Sequence, residues 1–147
     1  MGRLDDRIAL VTGAGNGIGA AVAHCFASEG AFVYVTDVDG DAAERTAASI
    51  REAGGQATAQ AVDVSRGQDV SAMFRTVEQG HGRLDVLVNN AGLNVRGDFR
   101  HMSDADWVRI REVNLDGVVR VARDGFELLR RSGRGSLINL SSIMASR

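Results

Sequence analysis

Lysine and proline are both absent from the 147 residues, and cysteine, tyrosine and tryptophan occur once each. Every one of the seventeen basic residues is therefore arginine, which removes the lysine that a Walker-type phosphate loop requires. The single cysteine, Cys25, excludes an internal disulfide and any cysteine-built metal site, and no metal is expected. The missing proline decides nothing. No apolar run approaches the ~20 residues of a membrane span. Met1-Gly2-Arg3-Leu4-Asp5-Asp6 carries no apolar signal region, so the cytosol is the expected compartment. Long runs of one charge are missing too, and a net charge of -2 gives no hint of nucleic acid or an anionic membrane as partner. Arg130, Arg131 and Arg134 lie close together, but arginines after a helix read first as complements of its carboxyl-terminal dipole.

What is present is ordinary for a soluble globular protein: 44% hydrophobic and 24% charged residues. A chain of this length is expected to form a single domain over 1–147, and it can bury roughly 68–70% of its unfolded surface. Cys25, on an apolar helix stripe, is read as core.

The most informative stretch is Ile8-Ala9-Leu10-Val11-Thr12-Gly13-Ala14-Gly15-Asn16-Gly17-Ile18-Gly19, an apolar run entering a loop with glycine at 13, 15, 17 and 19. Behind it Ile18, Ala21, Val22, Cys25 and Phe26 recur at helical spacing. Strand, glycine loop, helix is the reading. Such a turn gathers backbone N–H groups and the positive end of a helix dipole at one point, which suits a phosphate. A tight turn without ligand would use one or two glycines. Ile18-Gly19-Ala20 lacks the Lys-Ser/Thr of a P-loop, and Ile18 breaks the G-x-G-x-x-G pattern.

Beyond the loop, apolar runs alternate with amphipathic segments. Strands are expected at Ala31–Thr36, Gln56–Val62, Leu84–Val88 and Ser136–Leu140. Helices are expected over Asp41–Ala53 and Gln68–Gln79, with a long one from the cap Ser103 to Ser132-Gly133. The long helix carries Trp107, Ile110, Val113, Val118, Val121 and Leu128. Strands apolar throughout, joined by helices, imply parallel β-α-β units with right-handed crossovers. All strand-to-helix loops then share one sheet edge. Thr12 to Gly19, Asp37, Asp63, Asn90 and Ser142 all fall on it, as a ligand crevice in a doubly wound α/β sheet requires.

Asp37 follows Gly19 by eighteen residues and ends the second strand. A carboxylate there accepts from the adenosine ribose hydroxyls and repels a 2′-phosphate, and neither Val38 nor Asn16 offsets it with a cation. The expectation is NAD rather than NADP. Asp39 and Asp41 are better placed to cap the following helix.

T-G-A-G-N-G-I-G at 12–19, Asp37, Asp63-Val64, N-N-A-G at 89–92, V-N-L-D-G at 113–117 and G-S-L-I-N-L-S-S at 135–142 resemble the short-chain dehydrogenase/reductase family in order and spacing. The resemblance implies a Rossmann-like three-layer fold with a cofactor held by Gly13, Gly15, Asn16, Gly17, Ile18, Gly19 and Asp37. It implies that Asp63 and the Val64 backbone hold adenine, and that Asn90, Ala91 and Gly92 line the cofactor. It places Asn114 in a helix break, holding a water for proton relay; on its residues alone Asn114 reads as a buried amide satisfying local backbone. It makes Ser142 the catalytic serine, donating to the substrate carbonyl oxygen.

The family's base is a tyrosine, with a lysine three residues later, just past that serine. Arg147 comes five residues after Ser142, before such a segment. The one tyrosine, Tyr34, lies inside the second strand and reads as core. The 147 residues are expected to form the cofactor-binding front portion, ending after the fifth strand, and to lack turnover alone. The implied activity interconverts a secondary alcohol and a ketone with NAD(H), in a dimer or tetramer. A non-catalytic dinucleotide-binding module is the alternative, disfavoured by Ser142 and Asn114. A methyltransferase using S-adenosylmethionine would share the glycine loop and Asp37 but has no use for N-N-A-G or Ser141-Ser142.

Overall fold

The computed structural model describes residues 2–142. The five positions after Ser142, reaching to Arg147, lie outside the described residues. Five strands, β1 (Ile8–Thr12), β2 (Phe32–Asp37), β3 (Gln56–Ala61), β4 (Val86–Asn89) and β5 (Ser136–Asn139), alternate with helices. The helices are α1 (Gly17–Ser28), α2 (Gly40–Glu52), α3 (Gly67–His81), α4 (Asp104–Arg111) and α5 (Val118–Ser132). A π-helical segment, Glu112–Gly117, joins α4 to α5, and a 3-10 turn occupies Phe99–His101.

All strand pairs are parallel, in the order β3-β2-β1-β4-β5. The chain winds outward from β1 in two directions, a Rossmann-like α/β fold. Alternation along β1 shows why its residues are apolar throughout. Ala9 and Val11 face α1 and α2, packing with Ala23, Ala27, Ala43, Ala47 and Ile50. Ile8 and Leu10 face α3 and α5, packing with Val70, Met73, Phe74, Val77, Val121 and Leu128. A strand buried on both faces has no polar side to show.

The stripe expected on α1 is rotated. Its buried residues are Gly19, Ala23 and Ala27, with Val22 and Phe26 packed partly against the core. Ile18 is 66% exposed, and Cys25, expected in the core, is exposed. Small residues carry this contact because α1 lies close on the sheet: a Cβ at Gly19 would collide with the Gly13 carbonyl oxygen and stand 2.5 Å from Asn90 Nδ2. Large apolar groups are turned aside by that closeness.

The long helical stretch starts where expected. Ser103 Oγ accepts from Asp106 N at 3.1 Å. Its face is only partly covered: Val121 and Leu128 are buried, while Trp107 is 53% and Phe126 60% exposed. β5 is an edge strand, paired with β4 alone and exposed along its length. No helix among the described residues is long and apolar enough to cross a membrane.

Opposite the loop edge, Asp85 sits just before β4 with its side chain fully buried. Its carboxylate accepts from Ile8 N at 2.9 Å, Ser132 Oγ at 2.7 Å, Arg134 Nε at 3.0 Å and Arg83 Nε at 3.3 Å. It thereby ties the starts of β1 and β4 to the end of α5. Burial alone would raise its pKa, but these hydrogen bonds together hold it below the ordinary carboxylate range. The arginine group has specific carboxylate partners rather than a general dipole role: Arg130 pairs with Glu127, Arg131 with Glu78 and Arg134 with Asp85.

Tyr34 is buried as expected and meets the Nδ1 of His81 at 2.8 Å. Burial, aided by Arg83, lowers the pKa of His81, and burial raises that of Tyr34.

Candidate functional site

A cavity of about 490 Å³ opens along the carboxyl edge of the sheet. Its walls come from four loops. The β1 loop contributes Gly13, Asn16, Gly17 and Ile18, the β2 end Asp37 and Val38, the β3 loop Val62 to Ser65, and the β4 loop Asn90 to Leu93. Arg109, Glu112 and Val113 of α4 and the π segment complete it.

The glycine loop is locked to its neighbours by hydrogen bonds. Thr12 Oγ1 accepts from Asn90 N and Ala91 N, both at 3.1 Å. Asn90 Nδ2 donates to the carbonyls of Thr12 at 3.0 Å and Gly13 at 2.9 Å. The left-handed φ of +63° at Gly13 brings its Cα side within 2.8 Å of Ala91 Cα, measured to a hypothetical Cβ. Only glycine fits there. Gly17, with φ +55°, differs: a Cβ would meet nothing within 4 Å, because the space before it is the cavity. Asn16 precedes α1 without a side-chain cap, so the first N–H groups of that helix keep their capacity for a ligand's oxygens.

Asp37 Oδ2 accepts from Gly15 N at 2.9 Å, and Oδ1 accepts from Asp39 N at 3.0 Å. Asp39, not Asp37, caps α2, accepting from Ala42 N at 3.1 Å. Asp37 is thus fixed at the cavity wall by two backbone donors, with lone pairs left over. The residue pairs flanking it in space, Gly15-Asn16 and Val38-Asp39, bring no cation; the arginine of the described lining is Arg109, on α4.

On the β3 side, Asp63 Oδ1 accepts from Ser65 N at 2.9 Å and Ser65 Oγ at 2.6 Å. On the β4 side, Asn114 forms a two-point clamp on one residue: Oδ1 accepts from Leu93 N and Nδ2 donates to Leu93 O, both at 2.9 Å. Asn114 lies in the helix break, as expected, and its amide satisfies local backbone. Its exposure departs from the buried placement, because the clamp sits at the outer rim of the β4 loop.

Of the residues singled out in the sequence, Gly13, Asn16, Gly17, Ile18, Asp37, Asp63, Val64, Asn90, Ala91 and Gly92 line the cavity. Gly15 and Gly19 lie behind the loop and permit its packing. Asn114 acts one residue away through Leu93. Ser142 lies three positions past the end of β5, exposed, on the same sheet edge and outside the cavity lining. Arg109, Glu112 and Val113 were not singled out as site residues; a helix residue one turn before V-N-L-D-G was the available signal.

The chain as a whole matches known proteins. A family model described as "short chain dehydrogenase" matches residues 7–147. The chain belongs to the short-chain dehydrogenase family. Among relatives of this chain, the short-chain reductase protein NovJ of Streptomyces niveus is 42% identical over 140 residues, 95% of this chain and 53% of that protein. Meso-2,3-butanediol dehydrogenase of Serratia marcescens is 39% identical over 141 residues, 96% and 55% respectively. The chain spans about half the length of the curated relatives it matches.

Among solved structures, a 7α-hydroxysteroid dehydrogenase complexed with NADH and 7-oxo glycochenodeoxycholic acid superposes with a TM-score of 0.93. It is 35% identical, over 99% of this chain and 56% of that one. A metagenomic short-chain oxidoreductase in complex with NADP reaches 0.89 at 38% identity, over 95% and 64%. Structural neighbours of this chain thus hold either nicotinamide dinucleotide.

Proposed function

We propose that this chain is the cofactor-binding part of a cytosolic, homo-oligomeric oxidoreductase that uses NAD(H) to interconvert a secondary alcohol and a ketone. The observation that carries the cofactor choice is Asp37, held at the cavity wall by Gly15 N and Asp39 N, with no ion pair to a cation among the described residues. Its remaining lone pairs suit the paired ribose hydroxyls, and its charge opposes a 2′-phosphate.

The chain fits a dinucleotide along the cavity. The loop from Gly13 to Gly19 and the uncapped start of α1 would take the pyrophosphate, with Gly17 leaving the space for it. Asp63 and Val64 would take the adenine, and Asn90, Ala91 and Gly92 the far wall. A nicotinamide cofactor supplies the hydride acceptor or donor. The hydroxyl of Ser142 would donate to the carbonyl oxygen of the substrate and stabilise charge developing there. Asn114, clamped to Leu93, would hold a water on a proton path. Oxidation of the alcohol also releases a proton to a base. Tyr34, buried in β2 against His81, is not that base, and these 147 residues contain no other tyrosine and no lysine. We therefore propose that they bind cofactor but do not turn over by themselves. The exposed apolar residues on α4 and α5 support association between copies.

The test is isothermal titration with NADH, ATP and S-adenosylmethionine. One NADH per chain, with weaker ATP and no S-adenosylmethionine, is expected; binding of S-adenosylmethionine in place of NADH overturns the reading.

A further inference from the structure

Arg120 lies on α5, half-buried, and belongs to no ion pair among the described residues. Its Nη1 donates instead to the carbonyl oxygen of Val64, at 2.7 Å. That carbonyl shares its peptide group with Ser65 N, which donates to Asp63 Oδ1 at 2.9 Å. A guanidinium on the carbonyl draws electron density from the peptide and sharpens its N–H as a donor. Charge on α5 therefore reaches the Asp63 carboxylate through a single peptide. Ser65 Oγ occupies the same carboxylate oxygen at 2.6 Å, so Oδ2 is the oxygen turned to other donors. Packing reinforces the link: a Cβ at Gly117 would stand 2.9 Å from Val64 Cγ2. A half-buried cation spent on a backbone carbonyl needs a reason beyond ion pairing, and the wall it fixes is the β3 wall of the cavity.

We infer that Arg120 is a positioning residue that sets the orientation of Asp63 and, through it, the selectivity of the cavity for a purine carrying a 6-amino group. This rests on the dinucleotide reading of the cavity. An oriented carboxylate accepts from the amino group of adenine. In hypoxanthine the 6-position carries a carbonyl oxygen instead, a second acceptor facing the carboxylate.

The readout is the ratio of affinities for NADH and reduced nicotinamide hypoxanthine dinucleotide, measured by fluorescence titration. A hydrogen bond to a charged group corresponds to a preference of about tenfold or more for the adenine form. Arg120→Gln, too short to reach Val64 O, is expected to narrow that preference to about two- to threefold, while Arg120→Lys, which keeps charge and donor, restores most of it. Loss of structure alone would weaken both dinucleotides equally and leave the ratio unchanged. An unchanged ratio in Arg120→Gln overturns the inference. Arg120→Met, keeping the apolar stem, is the second variant, and the same two outcomes apply to whichever folds. Failure of the cofactor reading looks different: the unmutated chain would bind neither dinucleotide.

Discussion

The carboxylate of Asp37 stands 2.9 Å from the backbone nitrogen of Gly15, so the acidic end of β2 and the glycine loop after β1 are a single unit. Removing that carboxylate should do two things at once. Asp37→Ala frees Gly15 N and Asp39 N and removes the repulsion toward a 2′-phosphate. The unmutated chain is expected to bind NADH more tightly than NADPH, by about tenfold or more for one charge-assisted hydrogen bond, and Asp37→Ala should narrow the gap. Fluorescence titration of both cofactors checks this; equal affinities in the unmutated chain refute the assignment.

Gly17 offers a separate test of the loop. Its φ of +55° is left-handed and its Cβ position is open cavity. Valine there introduces strain of about 1–2 kcal/mol and places a branched side chain in the space assigned to the pyrophosphate. Gly17→Val should abolish NADH binding while circular dichroism shows nearly full helix content. An unfolded variant would instead make Gly17 a purely structural turn residue.

Asp85 sets the acid limit of the fold. Its folded-state pKa lies below the unfolded value, so its contribution is fully present above the ordinary aspartate pKa and is lost as pH falls through the depressed one. His81, also lowered, acts at higher pH: it stays neutral in the fold where the unfolded chain takes up a proton, so stability begins to fall below the ordinary histidine range. Asp85→Ala should cost about 2–3 kcal/mol, since it strands Ile8 N and removes the common partner of Arg83 and Arg134. Urea unfolding at neutral and acidic pH checks both points; a variant whose stability falls with acid as steeply as the parent's would exclude Asp85 as the titrating group.

The uncovered face of α4 and α5 predicts self-association. Trp107 at 53% exposure is a built-in reporter. Its emission should shift to the blue as concentration rises, with light scattering giving a dimer or larger species. Phe126→Glu should return a monomer. A unmutated chain that scatters as a monodisperse monomer would contradict this.

Turnover is the last expectation. With NAD and a panel of secondary alcohols, the 147 residues alone should show none above background, because a positioned base contributes roughly 10²–10⁴-fold and the sequence holds no lysine and no tyrosine besides the buried Tyr34. Robust turnover would show that another group removes the proton.

Most of the sheet was legible because strands buried on both faces are apolar throughout. Parallel crossovers set the handedness of each unit, while the order β3-β2-β1-β4-β5 is one of several doubly wound orders they allow. The polar ends of the strands were legible for the same reason: Asp37, Asp63 and Asn90 interrupt apolar runs. The face of α1 was not, since hydrophobic periodicity gives weight to Ile18 and Cys25, whereas close packing gives it to Gly19, Ala23 and Ala27. Asp85 was hidden inside an apparent strand, its partners lying up to 77 residues away at Ile8 and near 132–134. Arg120 was hidden differently. An arginine on a helix reads as solvated until the carbonyl it meets is known.

The π segment Glu112–Gly117 has a consequence for which changes of length the chain tolerates. A π turn accommodates one more residue than the α-helix it interrupts. Deleting a single residue from it would let the helix run on in regular register from Asp104 to Ser132, with every hydrogen bond satisfied. The extra residue is absorbed within the π turn, so α4 and α5 would keep nearly the same faces relative to one another. The loss would fall on the segment itself, where Asn114 would turn away from its two hydrogen bonds to Leu93. The intervening span from Leu93 to Asp98, without regular structure, should absorb an insertion or deletion far more readily. Here the most regular-looking helix is the least forgiving of an edit.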